Sequence, residues 1–148
     1  MTMQKQLQTH LTQKIIPFWQ KLIDRKWGGF YGHRDAKWLT IRNDANKGLV
    51  QQARFLFSFS RIQCHNRDKD YLAEMKSTYQ FITQHFFNLE NGGYYWLCDY
   101  QGDCIDHRYV TYGLGFVVYA FSEYYLATKN KDALNKALDL YHLIGAHA

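Results

Sequence analysis

An internal repeat limits what this chain can fold into more than any other feature of its sequence. Gly28-Gly29-Phe30-Tyr31 and Gly92-Gly93-Tyr94-Tyr95 lie 64 residues apart, and the correspondence continues at an offset of 62 further on. Each copy opens on paired glycines and two aromatic residues and passes through a polar hairpin. Each then enters an apolar helix, ending Phe57-Ser58-Phe59-Ser60 in the first copy and Tyr119-Ala120-Phe121-Ser122 in the second. The unit is loop, helix, turn, helix. A helical hairpin cannot bury both of its faces alone, so such units gain stability by packing beside copies of themselves.

Apolar periodicity predicts five helices. In the first, residues 4–23, Leu7, Leu11, Ile15, Phe18, Trp19 and Leu22 recur at three- and four-residue spacing, the mark of an amphipathic helix with one buried stripe. Pro17 leaves its second half open, because proline removes a helix hydrogen bond. The others are expected at 46–62, 69–87, 109–127 and 132–144. After each glycine pair, alternating residues and turn signals such as Gln101-Gly102-Asp103 predict short hairpins.

Composition narrows the class. Aromatic residues make up 18% of the 148 positions, which suits a core filled with rings or a pocket lined with them, and ring-lined pockets commonly bind sugars. The formal charge of +5 is scattered without a run of like charges, so nucleic acid is not an expected partner. No apolar run reaches the ~18 residues needed to span a bilayer. Cys64, Cys98 and Cys104 form neither a CxxC pair nor an even disulfide framework, and no apolar export segment opens the chain, so a cytoplasmic protein with free thiols is expected. No His/Asp/Glu cluster has metal-ligand spacing, so neither metal nor cofactor is expected.

The stretch Lys47-Gly48-Leu49-Val50-Gln51-Gln52-Ala53-Arg54, together with Tyr112-Gly113-Leu114-Gly115-Phe116 and Tyr119-Ala120-Phe121-Ser122-Glu123-Tyr124-Tyr125, resembles the N-acylglucosamine 2-epimerase family. Phe18-Trp19 and Gly28-Gly29-Phe30-Tyr31-Gly32 resemble that family's opening. The family includes cellobiose 2-epimerases and aldose-ketose isomerases. The resemblance implies an all-α fold, an (α/α)6 toroid two to three times this length, of which residues 1–148 would be the N-terminal portion. It also implies proton transfer at C2 of an opened sugar through an enediolate, with histidines as acid and base.

By the same resemblance, Arg54 matches an active-site arginine that holds a sugar oxygen, and Tyr112 a tyrosine whose hydroxyl borders the sugar. Mid-helix among apolar residues, a buried Arg54 needs a partner or ligand; the other reading is an arginine on the helix flank, paired with a carboxylate. Tyr112 stands where the first copy has Val50, and reads equally as core. Val50 itself departs from the bulky aromatic usual in the family. Phe30, Tyr31, Tyr94 and Trp96 are candidate sugar-stacking rings. None of the seven histidines stands in the family's catalytic motifs.

Two copies and a lone first helix leave an open edge, so the expectation is a truncated epimerase of low activity alone, or an oligomer covering that edge. The alternative is a non-catalytic helical module for carbohydrate or protein binding. A glycoside hydrolase would need two facing carboxylates, and Asp24, Asp35, Asp44 and Asp106 offer no convincing pair.

Overall fold

In a computed structural model, residues 2–37, 40–66 and 70–146 are described. The first helix is α1 (Met3–His10), a wider π-helical turn (Leu11–Ile15) and α2 (Ile16–Gln20) in direct succession. The wide turn answers the question posed by Pro17. The Ile16 N–H donates to Leu11 O, five residues back, so the ladder slips by one residue just before a position with no N–H to donate. The expected buried stripe is a correction. Leu22 is buried and Phe18 half-buried, but Leu7, Leu11, Ile15 and Trp19 are exposed, and Ile16 takes the buried place instead. The helix meets the rest of the chain along a narrow contact, which leaves most of its apolar face open.

The hairpin β1 (His33–Arg34) with β2 (Ile41–Arg42) follows, then β3 (Lys47–Gly48) and the long helix α3 (Leu49–His65). The helix expected from Lys69 begins at Leu72; Lys69 itself lies outside the described residues. It runs as α4 (Leu72–Phe81) and closes in a second π-helical segment, Ile82–Phe86. The second hairpin is β4 (Leu97–Cys98) with β5 (Cys104–Asp106), ahead of α5 (Thr111–Thr128) and α6 (Lys131–Ala146). β4 also pairs with β3, Lys47 opposite Cys98, so the hairpin of the second unit is stitched to the strand that leads into the first unit's long helix.

The repeat read in the sequence is a repeat of hydrogen bonds. In the first copy Gly28 N–H donates to Asp24 O, Asp24 N–H to Gly29 O and Tyr31 N–H to Leu22 O; in the second, Gly92 donates to Asn88, Asn88 to Gly93 and Tyr95 to Phe86. The first glycine of each pair has positive φ, +87° at Gly28 and +76° at Gly92, a conformation that costs glycine nothing and an L side chain a good deal. The turn then bridges Ile23 to Phe30 and Phe87 to Tyr94, which sends the ring after the glycines inward.

Those rings build the core. Phe30 lies flat on Phe55 with centroids 3.8 Å apart, Phe59 continues the stack, Tyr71 meets Phe59 edge-on, and Tyr94 packs edge-on to Phe121. Tyr79 stacks on Tyr124 and donates its hydroxyl to Asp132 Oδ2 at 2.6 Å, joining α4 to the start of α6. The Asp132 carboxyl is held below the usual carboxylate range, first by Lys136 and then by this tyrosine. A carboxyl depressed in the folded state adds stability above its ordinary pKa and loses it as pH falls through the lowered one. Tyr79→Phe is therefore expected to cost about 1 kcal/mol at pH 7, a charged hydrogen bond discounted for the exposure of Asp132. In thermal melts the gap between variant and parent should narrow as the solution is acidified below the ordinary carboxylate pKa.

Candidate functional site

α3 and α5 pack side by side and parallel, with equivalent residues of the two repeats in contact. Phe57 stacks on Tyr119 with centroids 4.3 Å apart, and Arg61 pairs with Glu123 at 3.4 Å; both pairs are separated by the 62-residue offset. At the other end the Leu49 N–H donates to Trp96 O at 3.0 Å, and a Cβ on Gly113 would sit 2.9 Å from the Trp96 ring. Trp96 thus wedges the start of both helices. The two helices present a common face to solvent, carrying Arg54 and Ser58 of α3 and Tyr112, Gly115 and Tyr119 of α5.

Beside that face runs an open groove of about 710 Å³. One wall is the i, i+4 stripe Val50, Arg54, Ser58 and Ile62 of α3; the other is Leu11, Ile15 and Trp19 of the first helix, at the same spacing. The walls are apolar but for Gln51, Ser58 and Arg54, and Arg54 is the charged residue lining the groove. Among the described residues no carboxylate lies within ion-pair distance of Arg54, which removes the reading of a flank arginine in a salt bridge. Its expected burial is also a correction: the side chain is exposed, because it stands on the solvent-facing side of α3 beside an open groove. An unpaired guanidinium set between apolar walls is suited to holding an electron-rich oxygen.

The remaining candidates separate. Val50 lines the groove with Arg54. Tyr112 is 64% exposed and edge-on to Phe116, on the shared face but outside the groove lining, so it is not the core residue that one reading allowed. Trp96 is half-buried as the wedge under both helices. Phe30 and Tyr94 are corrections: each is 1% exposed, turned into the core by the bridge after the glycine pair, and no ring face is open to a sugar. Tyr31, next in alternation, turns outward into a separate recess. Among the described residues no histidine lines the groove.

Three residues around the site were not singled out from sequence. Gln52 is buried and clamps the loop, accepting from Phe30 N–H at 2.9 Å and donating to Phe30 O at 2.8 Å. Gln51 donates to both Tyr31 O and Gly32 O at 3.2 Å. Lys47 is fully buried, its Nζ 2.7 Å from Asp24 Oδ2 and 2.8 Å from Gly28 O. The place of Lys47 in the second repeat is taken by Tyr109, whose hydroxyl meets the side-chain amide of Asn88, the counterpart of Asp24. The available signal was the aligned pair of differences, Asp24 to Asn88 and Lys47 to Tyr109, which change together.

Comparison with known proteins follows the same lines. Residues 28–148 match the family model described as N-acylglucosamine 2-epimerase (GlcNAc 2-epimerase). A cellobiose 2-epimerase of Dictyoglomus turgidum is 40% identical over 137 residues, covering 91% of this chain and 34% of that protein. A sugar epimerase from a ruminal bacterium superposes with a TM-score of 0.92 at 35% identity, over 96% of this chain and 36% of the other. The cellobiose 2-epimerase of Bacillus thermoamylovorans B4167 superposes at 0.87 with 37% identity, over 94% and 36%. The chain spans about a third of the length of the relatives it matches. Its helices are a partial (α/α)6 toroid with short β-hairpin loops, as the resemblance implied.

Proposed function

The chain belongs to the N-acylglucosamine 2-epimerase family, and from that premise we propose that the Arg54 groove is one wall of the sugar cleft of a cytoplasmic 2-epimerase or aldose-ketose isomerase. The observation that supports this reading is Arg54 itself, a guanidinium without a carboxylate partner among the described residues, in a mostly apolar groove. In the proposed reaction the C2 proton leaves and its electron pair forms the C1–C2 double bond of an enediolate. Reprotonation of C2 on the opposite face gives the epimer, and reprotonation of C1 gives the ketose. Arg54 would bind the sugar oxygen on which negative charge grows, an interaction stronger in the transition state than with the bound sugar. Val50 would leave room at the floor, and Tyr112 would border the sugar from the neighbouring helix.

Because no histidine lines the groove, the acid and base would come from a part of the toroid that these 148 residues do not supply. We propose that residues 1–148 form the first portion of that toroid, and that the 148 residues alone turn over poorly. General acid–base catalysis is worth roughly 100- to 10,000-fold. The same observation keeps a non-catalytic sugar-binding module as the second reading.

The test is proton exchange at C2 of mannose, glucose, N-acetylmannosamine and cellobiose in deuterated water, followed by NMR alongside sugar-induced shifts in the protein. Saturable binding that Arg54→Ala weakens by about tenfold or more, with little exchange, is the expected result. Shifts of the groove residues that are indifferent to Arg54→Ala would remove the groove from consideration. Exchange that disappears in Arg54→Ala would show that the acid and base lie within this chain.

A further inference from the structure

A second recess, of about 240 Å³, opens between the loop that carries the first glycine pair, the end of the β1–β2 hairpin and the turn between β4 and β5. It is separate from the Arg54 groove, and the Tyr31–Gly32 backbone held by Gln51 divides the two. We propose that this recess is a second saccharide site, taking one neutral pyranose unit, and that it works independently of Arg54.

Its chemistry is that of a polyol site. Three rings line it: Trp27 and Tyr100, set edge to face with centroids 6.4 Å apart, and Tyr31. Such rings offer apolar faces to the C–H surface of a pyranose and polar atoms at their edges. Asn43 and Asp44 supply a side-chain amide and a carboxylate at the mouth. The charges around the recess are engaged with one another. Asp24 at its floor accepts from Lys47 and from the backbone N–H groups of Lys26 and Trp27, and Asp44 is paired with Arg42 at 3.3 Å. Lys26 lies over the Trp27 ring, 4.9 Å from its centroid. Of these charges Lys26 alone has no carboxylate partner, its ammonium resting on the Trp27 ring face, so the recess offers no unopposed carboxylate to a cation, and ring faces and neutral donors make up the rest of its lining. Burial raises the pKa of the Tyr31 hydroxyl, with the nearby Asp24 adding to it, so the phenol stays protonated and able to donate. The volume equals about eight waters at ~30 Å³ each, a space for a single ring and not for a chain of them.

The site rests on the reading that this protein handles sugars, and the experiment separates the two. The chain, labelled with 15N, is titrated with cellobiose and with methyl β-glucoside while the indole N–H of Trp27 and the side-chain amide of Asn43 are followed. Sodium phosphate serves as the anionic control. Saturable shifts at both reporters, unchanged in Arg54→Ala and absent with phosphate, are expected. Trp27→Ala, read at the Asn43 amide, and the milder Asn43→Ala at an exposed mouth position, read at the Trp27 indole, should each weaken sugar binding by about tenfold. Shifts confined to the groove around Arg54 and Trp19 would overturn the second site and leave the proposed function standing. Reporter shifts that vanish in Arg54→Ala would overturn its independence, and silence at both places would overturn site and function together.

Discussion

Lys47→Met is expected to destabilise the chain by about 3–5 kcal/mol. Both members of the Lys47–Asp24 pair are 0% exposed, and the ammonium also donates to Gly28 O and lies 4.4 Å from the centre of the Phe81 ring. Burial pulls the Lys47 pKa below the ordinary lysine value and Asp24 pulls it back only in part, so the pair resides where solvent does not help either charge. Removing the lysine leaves a buried carboxylate facing an apolar side chain, and leaves the first glycine turn without its tether. Asp24→Asn should cost a comparable amount by orphaning the ammonium. The double variant Lys47→Met, Asp24→Asn should recover a large part of either loss, because an uncharged pair has no desolvation to offset. The second repeat already shows a neutral solution at this place, Tyr109 with Asn88. Urea denaturation of the four proteins measures the cycle. A single-variant loss under about 1 kcal/mol would mean that water reaches the pair.

Gly32→Ala is the second large effect, and it contrasts with Gly115→Ala. A Cβ at Gly32 would lie 1.8 Å from Asn46 O and 2.7 Å from its carbonyl carbon, both backbone atoms that no rotamer change can move. The loop that frames the groove must separate from β3, at a cost of roughly 3 kcal/mol, at the upper end for forced overpacking. At Gly115, on the open face of α5, nothing lies within 4 Å of the built Cβ. Alanine there should stabilise by roughly 0.5–1 kcal/mol through helix propensity alone. Melting temperatures of the two variants are expected to move in opposite directions. If Gly32→Ala melts with the parent, the approach of loop to strand is softer than the structure has it. Gly115→Ala also adds a methyl to the face beside Tyr112, so sugar titration of that variant reports whether the face is crowded by a ligand.

The helices were legible because each long one carries its own apolar period, and the hairpins because glycine pairs and Asp/Gly turns are local signals. Arg54 and Val50 were singled out by the family resemblance, and their i, i+4 spacing on one helix places both on the groove lining. Phe30 and Tyr94 were misjudged for a matching reason. An aromatic residue after a glycine pair reads the same whether its ring points in or out, and the direction is set by the Ile23–Phe30 and Phe87–Tyr94 bridges, which join residues the sequence does not mark as partners. The exposed stripe of the first helix escaped in the same way, since periodicity shows that a face is apolar and not what covers it.

By itself, then, the sequence determined the order of helices and hairpins and the family to which the chain belongs, because these depend on residue types at short and fixed spacings. Tertiary structure alone decided the rest: that equivalent residues Arg61 and Glu123 meet across parallel helices, that Lys47 is buried against Asp24 under the first turn, and that Tyr31 and Arg54 face different cavities. Each of these is a contact between residues at least 19 positions apart or a division of space between two loops, and such relations are set by packing, in which every side chain's surroundings depend on where all the others have gone.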